Sequence, residues 1–282
     1  MSWRRAVTVL GCCRHDRRYE MAGNSRDAGR SVTARALSVL TAFDIDHSRL
    51  TLTAIARRAG IPLATAHRLV RELEHWGALH RDPEGRYSIG LRLWEIGLLS
   101  PVNSTLRQVA LPFMQELCAA TRDNVHLAVR DGTEAVYVEK LTAHTSVPIV
   151  SRSGGRLPLH ATSVGKVLLA HAPASLLQEC CEHGLSRHTP YTITEPGRLG
   201  RELHGVRARG FAQATEEMSL GNCSVAVPVR DATGSVVAAL GLVAHSVRAE
   251  VVKLVKPLLP AAESIRQRLL EKDPAADGVL SL

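Results

Sequence analysis

Apolar positions follow a 3.6-residue rhythm over the first third of the chain and a two-residue rhythm at intervals beyond it. Val32, Ala36, Leu37, Leu40 and Phe43 share one face at helical spacing, the stripe of an amphipathic helix, until the largely polar segment from Asp44 to Arg49 breaks it. Leu52, Ile55, Ala56 and Ala59 mark the buried side of a second helix, with Thr51 or Thr53 as its cap. Gly60 ends that helix, and Pro62 suits the first turn of the next. The third helix is predicted from about Pro62 to Trp76. Ala66, Leu69, Val70, Leu73 and Trp76 fall on one of its faces, and Ala64, Arg68, Arg71 and His75 on the other, flanked by Thr65 and His67. Two short runs then flank Pro83-Glu84-Gly85, Leu79 to Asp82 and Arg86 to Ile89, and predict a two-stranded hairpin.

Two short helices joined by a tight glycine turn make a helix-turn-helix, whose second helix presents the reading face. A hairpin directly after that helix is a wing. Each element alone is a weak sign, since a charged helix face is usually only solvated. The ordered set of helices and basic wing is more specific, and its commonest use is binding duplex DNA. Thr53, Thr65, His67, Arg68 and Arg71 are the candidate contacts of the helices, and Arg81 and Arg86 those of the wing.

Beyond the hairpin, Leu91 to Leu99 continues as a helix that Pro101 interrupts, so residues 94–104 are expected to be a linker helix. Thr105 to Thr121 is amphipathic again. Asn124 to Arg130 and Glu134 to Glu139 alternate across an Asp131-Gly132 turn, as do Ser224 to Arg230 and Val236 to Ala244 across Asp231 to Gly234. Helices are expected at Ser163 to Ala170, Leu199 to Arg209 and Ala249 to Leu270. The expected fold class is therefore α+β: a winged helix-turn-helix over 31–93, the linker, and a sheet flanked by helices over 105–274 with a tail over 275–282.

The 45% hydrophobic and 22% charged composition suits a soluble globular protein of two domains. Every basic residue before Lys140 is arginine, the side chain that forks onto phosphates and guanine edges. A genome that favours arginine codons explains that bias equally well, so the net charge of +8 permits a polyanionic partner without identifying one. The six cysteines, Cys12, Cys13, Cys118, Cys180, Cys181 and Cys223, contain no C-x-x-C pair, which points to a reduced, cytoplasmic protein. No apolar run approaches the ~18–20 residues of a membrane span. Residues 1–30 read as a disordered basic tail, with Met21 as an alternative start.

The blocks RALSVLTAF, LTLTAIARRAGIPLATAHRLVRELEHWGALHRD and GRYSIGLRLWEIG resemble the DNA-binding half of the IclR family of bacterial regulators. RLPLHATSVGKVLLAH, YTITEPGRL, VRARGFA and SVAVPVRDATGSVVAAL resemble segments of that family's effector domain, and all fall in the family's order over about residues 31–272. The resemblance implies a winged helix-turn-helix joined to a GAF-like sensor domain, assembled as a homodimer or tetramer on a double-stranded operator. It implies switching by a small organic effector (an acid, an aromatic or a sugar-derived compound), with no cofactor and no metal. Thr65, His67 and Arg68 match the family's recognition core, whereas Leu63 and Ala64 stand where many members carry a basic residue and a serine. By the same resemblance the effector pocket takes Ile149, Leu157, Ser163, Val164, Gly165, Cys223, Ser224, Gly241 and Val243. Many relatives are acidic near Ala214 and polar near Gly241. This chain is small and apolar at both, which points to a less polar or larger ligand.

Other motifs do not hold. Gly165-Lys166 lacks the Gly at 160 and the Ser or Thr at 167 of a phosphate loop, having His160 and Val167 instead. No G-x-S-x-G surrounds Ser163, and the histidines show no zinc spacing. Glu216 and Glu217, being adjacent, should point apart and form a solvated edge of the pocket. The alternative reading is a small-molecule enzyme with a winged-helix dimerisation module, which would need a glycine-rich cofactor loop after a strand.

Overall fold

Ser31 starts the first helix by accepting the backbone N–H of Ala34 on its hydroxyl at 3.1 Å, and α1 runs over Val32–Leu40. This computed structural model describes residues 30–143 and 151–272, so the expected tails and Ile149 lie outside the described residues. The chain divides into two units, one ending at Ile96 and the next beginning at Gly97.

In the first unit, Thr51 rather than Thr53 caps α2 (Leu52–Ala59), through a 3.3 Å bond from the Ala54 N–H. Gly60 stops the helix at φ +65°, a left-handed conformation that a side chain would strain. After Ile61 and Pro62 comes α3 (Leu63–Trp76). Val39, Leu50, Ile55, Leu69, Val70, Leu79 and Tyr87 form the core that holds the three helices together. Arg58 clamps the α1–α2 connection, donating to the Ala42 carbonyl at 2.6 Å and to Asp44 Oδ2 at 2.5 Å. The hairpin pairs β1 (Leu79–Arg81) with β2 (Tyr87–Ile89), and Tyr87 also exchanges backbone bonds with Leu50. Trp76 departs from its expected place in the core. At the C-terminal end of α3 it is 40% exposed, with the Arg92 guanidinium stacked 4.5 Å from its ring centroid.

The segment expected as a linker helix holds the end of α4 (Leu91–Leu98), a turn at Leu99-Ser100 and the start of a π-helical stretch, Val102–Arg107. That stretch leads into α5 (Gln108–Thr121). The second unit is built on a six-stranded sheet of β3 (Asn124–Asp131), β4 (Glu134–Leu141), β5 (Arg156–Pro158), β6 (Ala212–Thr215), β7 (Asn222–Arg230) and β8 (Val236–His245). The strand order is β5-β4-β3-β8-β7-β6, antiparallel throughout.

The two-residue period sorts side chains between the faces of this sheet. Val125, Leu127, Val225, Val227, Leu240 and Leu242 pack on one side with α5 and the last helix, α9 (Val251–Lys272). Ala128, Tyr137, Ala226 and Ala239 face the other side, covered by α6 (Ser163–Ala170), α7 (Ala174–Glu182) and α8 (Pro196–Arg209). Small residues on the second face let α6 lie close to the strands. A Cβ on Gly241 would meet Val164 Cγ1 at 3.0 Å.

Candidate functional site

On α3, the residues opposite the buried Ala66, Leu69 and Val70 form an open polar surface of His67, Arg68, Arg71, Glu72, Glu74 and His75. His67, Arg68 and Arg71 are exposed and Thr65 is half-buried. Arg68 and Arg71 make no ion pair with another described residue, so both guanidinium groups are available to a partner. Thr53 is exposed in the first turn of α2. The wing treats its two arginines differently. Arg81 lies 5.6 Å from the Tyr87 ring centroid, whereas Arg86 is held by Asp82 at 3.4 Å and Glu84 at 3.8 Å.

The second site is a cleft on the α6 face of the sheet, about 480 Å³ with its open mouth included. Its walls are strand residues His126, Tyr137, Ser224 and Val243, the α6 approach from Leu157 to Val164, and a loop from Glu217 to Asn222. Thr162 caps α6, its hydroxyl taking the Gly165 N–H at 3.1 Å and its carbonyl the Lys166 N–H at 2.9 Å. The N–H groups of Ser163 and Val164, at the first two positions of the helix, have no intrahelical acceptor to take them. Both residues line the cleft, so it contains the positive end of a helix dipole and two donors suited to an anionic group. His126 is buried, its Nε2 is 3.0 Å from Ser151 Oγ, and its ring meets Tyr137 edge-on at 5.2 Å. Burial, with the Lys140 charge adding to it, pushes its pKa down to about 3, so this is a neutral imidazole. Burial also pushes the Tyr137 phenol up.

Beneath the α6 end of the cleft lies a charge pair that periodicity could not reveal. Lys166, 1% exposed, reaches Glu217 Oε1 at 2.5 Å and the Gln213 carbonyl at 3.0 Å. Glu217 is 8% exposed, not the solvated edge expected of it. It does point away from Glu216, whose Oε1 accepts from the Gly221 N–H and the Ser246 hydroxyl. Thr189 and Thr192 fix this corner, donating to the Glu216 and Glu217 carbonyls at 2.6 Å each. Burial raises the Glu217 pKa while Lys166 opposes it, and the nearby Ile193 N–H also favours the charged form. Even so, Oε2 of Glu217 has no partner at hydrogen-bond geometry.

Of the residues assigned to an effector pocket by resemblance, the cleft brings together Leu157, Ser163, Val164, Ser224 and Val243. Gly165 and Gly241 stand behind its wall, where a Cβ would strike the Leu159 carbonyl at 2.5 Å or Val164 at 3.0 Å. Cys223 points to the opposite face of β7, its sulfur 3.6 Å from Thr215 Oγ1, because it is one residue out of phase with Ser224. His126 and Tyr137 line the cleft and were missed, whereas Glu217, expected at a solvated edge of the pocket, lines it from a buried position. For His126 and Tyr137 the signal was available: each shares its strand's inward phase with Ala128 and Ala135. Among the described residues no group of three or more His, Cys, Asp or Glu could hold a metal ion, and no helix is long and apolar enough to cross a membrane.

Comparison with known proteins gives both units the same kinship. Residues 32–83 match the IclR helix-turn-helix domain, and residues 101–267 match the C-terminal domain of bacterial transcriptional regulator IclR. The chain is 35% identical over 210 residues to the HTH-type transcriptional regulator XynR of Escherichia coli, covering 74% of this chain and 83% of that protein. It is 34% identical over 242 residues to the p-hydroxybenzoate hydroxylase transcriptional activator of Acinetobacter baylyi, covering 84% and 89%. An IclR homologue from Microbacterium hydrocarbonoxydans, solved in complex with 4-hydroxybenzoate, superposes with a TM-score of 0.82 at 37% identity, covering 86% of this chain and all of that one. A DNA-reading head and a ligand-sensing α+β unit thus occur in one chain as they do in these regulators, and the chain belongs to the IclR family of ligand-responsive, DNA-binding transcriptional regulators.

Proposed function

We propose that this regulator grips its operator through α3 and the wing, and that an aromatic acid of the hydroxybenzoate type, seated in the α6 cleft, sets its affinity for DNA. Thr65, His67, Arg68 and Arg71 read the major groove, Thr53 and Arg81 steady the head on the backbone, and Arg86 joins them once released from Asp82. Residues 31–93 serve as the head, 94–104 as the link, and 105–274 as the effector and oligomerisation domain of a cytoplasmic homodimer or tetramer. The observation that carries the ligand class is the pair of uncommitted N–H groups of Ser163 and Val164 in a cleft walled by Leu157, Val164, Ala214, Met218 and Val243. Such a site fits a carboxylate on an apolar body. The 4-hydroxybenzoate bound to the Microbacterium homologue and the name of the Acinetobacter relative favour an aromatic body. The cleft is read as a binding site without turnover, since the thiol of Cys223 faces away from it.

Fluorescence anisotropy on the duplex upstream of the regulator's own gene tests this reading. Binding should weaken steeply between ~50 and ~200 mM salt, as expected of several arginine–phosphate contacts. Adding 4-hydroxybenzoate or a close analogue should change operator affinity at least about fivefold, the low end of allosteric couplings. Operator binding that no benzoate-class acid alters would overturn the ligand assignment, and recovery of a chemically changed acid would favour an enzyme.

A further inference from the structure

Glu217 holds a buried charge in the wall of the cleft while half of its hydrogen-bonding capacity goes unused. One oxygen is committed to Lys166 at 2.5 Å, the other has no partner at hydrogen-bond geometry, and the residue is 8% exposed. An ionised carboxylate accepts only, so the free oxygen calls for a donor. The position is rigid, because the Thr189 and Thr192 hydroxyls fix the backbone carbonyls of the loop and Gln213 supports Lys166 from β6.

We infer that Glu217 selects the effector, accepting a hydrogen bond from a hydroxyl or N–H group that the ligand carries in addition to its carboxylate. The inference rests on the reading of the cleft as an aromatic-acid site and names a second recognition point within it. The carboxylate meets the N–H groups of Ser163 and Val164, and the donor meets Oε2 of Glu217. Lys166 belongs to the same helix as those N–H groups, one turn on, so the two recognition points are neighbours across the first turn of α6. The arrangement also rejects certain ligands. A second carboxylate at this point meets the Glu217 charge, and an ether oxygen offers an acceptor to an acceptor. Sites built around a hydroxyl discriminate strongly against analogues lacking it, because the protein group is then left unpaired.

Isothermal titration of the full-length protein with benzoate, the three hydroxybenzoates, the matching methoxybenzoates and terephthalate tests this without any variant. At least one hydroxybenzoate should bind ten or more times more tightly than benzoate, while its methoxy counterpart and terephthalate bind no better than benzoate. The titration is then repeated with Lys166→Met/Glu217→Met, which removes both charges together and preserves side-chain volume. The hydroxyl preference, read as the ratio of hydroxybenzoate to benzoate affinity within the same variant, should disappear, a loss of about 1.4 kcal/mol for each factor of ten. Equal binding of benzoate and all hydroxybenzoates by the native protein overturns the role of Glu217 and leaves the aromatic-acid reading standing. A hydroxyl preference that survives in the double variant, or is shared by the methoxy compounds, overturns it as well. Binding of none of these acids overturns the aromatic-acid reading and this inference with it.

Discussion

Arg107 closes both Nε and Nη2 onto a single oxygen of Glu139, at 2.7 and 2.6 Å, and so ties the π-helical stretch before α5 to strand β4. Glu139 is 8% exposed, and its other oxygen takes the Lys140 N–H at 2.8 Å and the Ser153 hydroxyl at 3.2 Å. Removing the arginine strands a buried carboxylate, which typically costs 3–5 kcal/mol. Arg107 is itself 38% exposed, so water can compensate in part and a loss of about 1–3 kcal/mol is expected for Arg107→Ala. Urea unfolding should show this as a lower midpoint with an unchanged slope, and Arg107→Lys should fall between the two. An Arg107→Ala midpoint equal to that of the native protein would show that the pair does not hold this joint.

The same pair lies close to the cleft. Lys140, next to Glu139, donates to the Ser151 carbonyl at 2.9 Å, and Ser151 contacts His126 in the cleft wall. Arg107→Ala is therefore predicted to bind hydroxybenzoate within about twofold of native affinity yet to lose most of the ligand's effect on operator binding, a coupling worth typically 1–3 kcal/mol. Titrating the ligand at fixed operator concentration measures this. A full native response in the variant would remove the joint from the signal path.

Arg68 and Arg71 should separate specificity from simple adhesion. Both are exposed on α3 and form no ion pair with another described residue, and Arg68 is nearer the helix start, where base edges are read. Arg68→Ala should cost about 1–3 kcal/mol on the operator and relax sequence discrimination. If Arg71 contacts phosphate, Arg71→Ala should weaken all sequences alike and reduce the salt slope by about one. Hydroxybenzoate binding should be unaffected in both variants. Operator affinity unchanged by Arg68→Ala would mean that another face of the head reads the DNA.

How much of this was legible in the sequence depended on how local each feature is. Much of the head could be read, because the cap at Thr51, the left-handed Gly60 and the wing turn all act over a few residues, although Val32, Leu37 and Trp76, read on buried faces, are exposed. Strands β3, β4, β7 and β8 were visible in their alternation, whereas β5 and β6 are too short, at three and four residues, to show a period. Helix α7 passed unnoticed, since only Leu176 and Cys180 of its nine residues are buried. The cleft was half legible. Ser163, Val164 and Ser224 came from family resemblance, but the burial of Glu217 depends on Lys166, 51 residues earlier in the chain. No local pattern reports that meeting. Cys223 shows the converse error, a residue next to Ser224 in sequence and on the other face of the sheet in space.

Gly165 and Gly241 support the cleft unequally. A methyl group at Gly165 would lie 2.5 Å from the Leu159 carbonyl oxygen and 2.6 Å from its Cα, both backbone atoms that cannot swing aside. At Gly241 the closest atom is a side-chain methyl of Val164 at 3.0 Å, which a small rotation relieves, although the Val225 carbonyl is at 3.1 Å. Gly165→Ala is expected to cost more than about 2 kcal/mol and to abolish ligand binding by displacing the first turn of α6. Gly241→Ala should cost about 1 kcal/mol and weaken binding only modestly. Chemical denaturation with ligand titration ranks the two, and a reversed order would contradict this account of how α6 docks on the sheet.

The buried imidazole of His126 makes stability fall as the solution is acidified. In the unfolded chain it protonates near its ordinary value of 6.5, whereas in the folded protein it resists protonation down to about 3. Below about pH 6.5 the unfolded state therefore binds a proton that the folded state refuses, and each further pH unit favours unfolding by about 1.4 kcal/mol until the folded form also protonates. His160, His171 and His188 shift the same way through burial and add to the slope. Glu217 acts in the opposite sense: its folded pKa is raised, so the folded state takes up that proton more readily as pH falls and offsets part of the loss. Between pH 6.5 and 5, His126 alone should remove about 1–2 kcal/mol. His126→Asn, which cannot protonate, should show a correspondingly shallower fall in denaturant midpoint over that range. A native and a variant profile with the same slope would mean that His126 gains a proton in the folded protein as readily as in the unfolded chain, and that the cleft wall admits water around it.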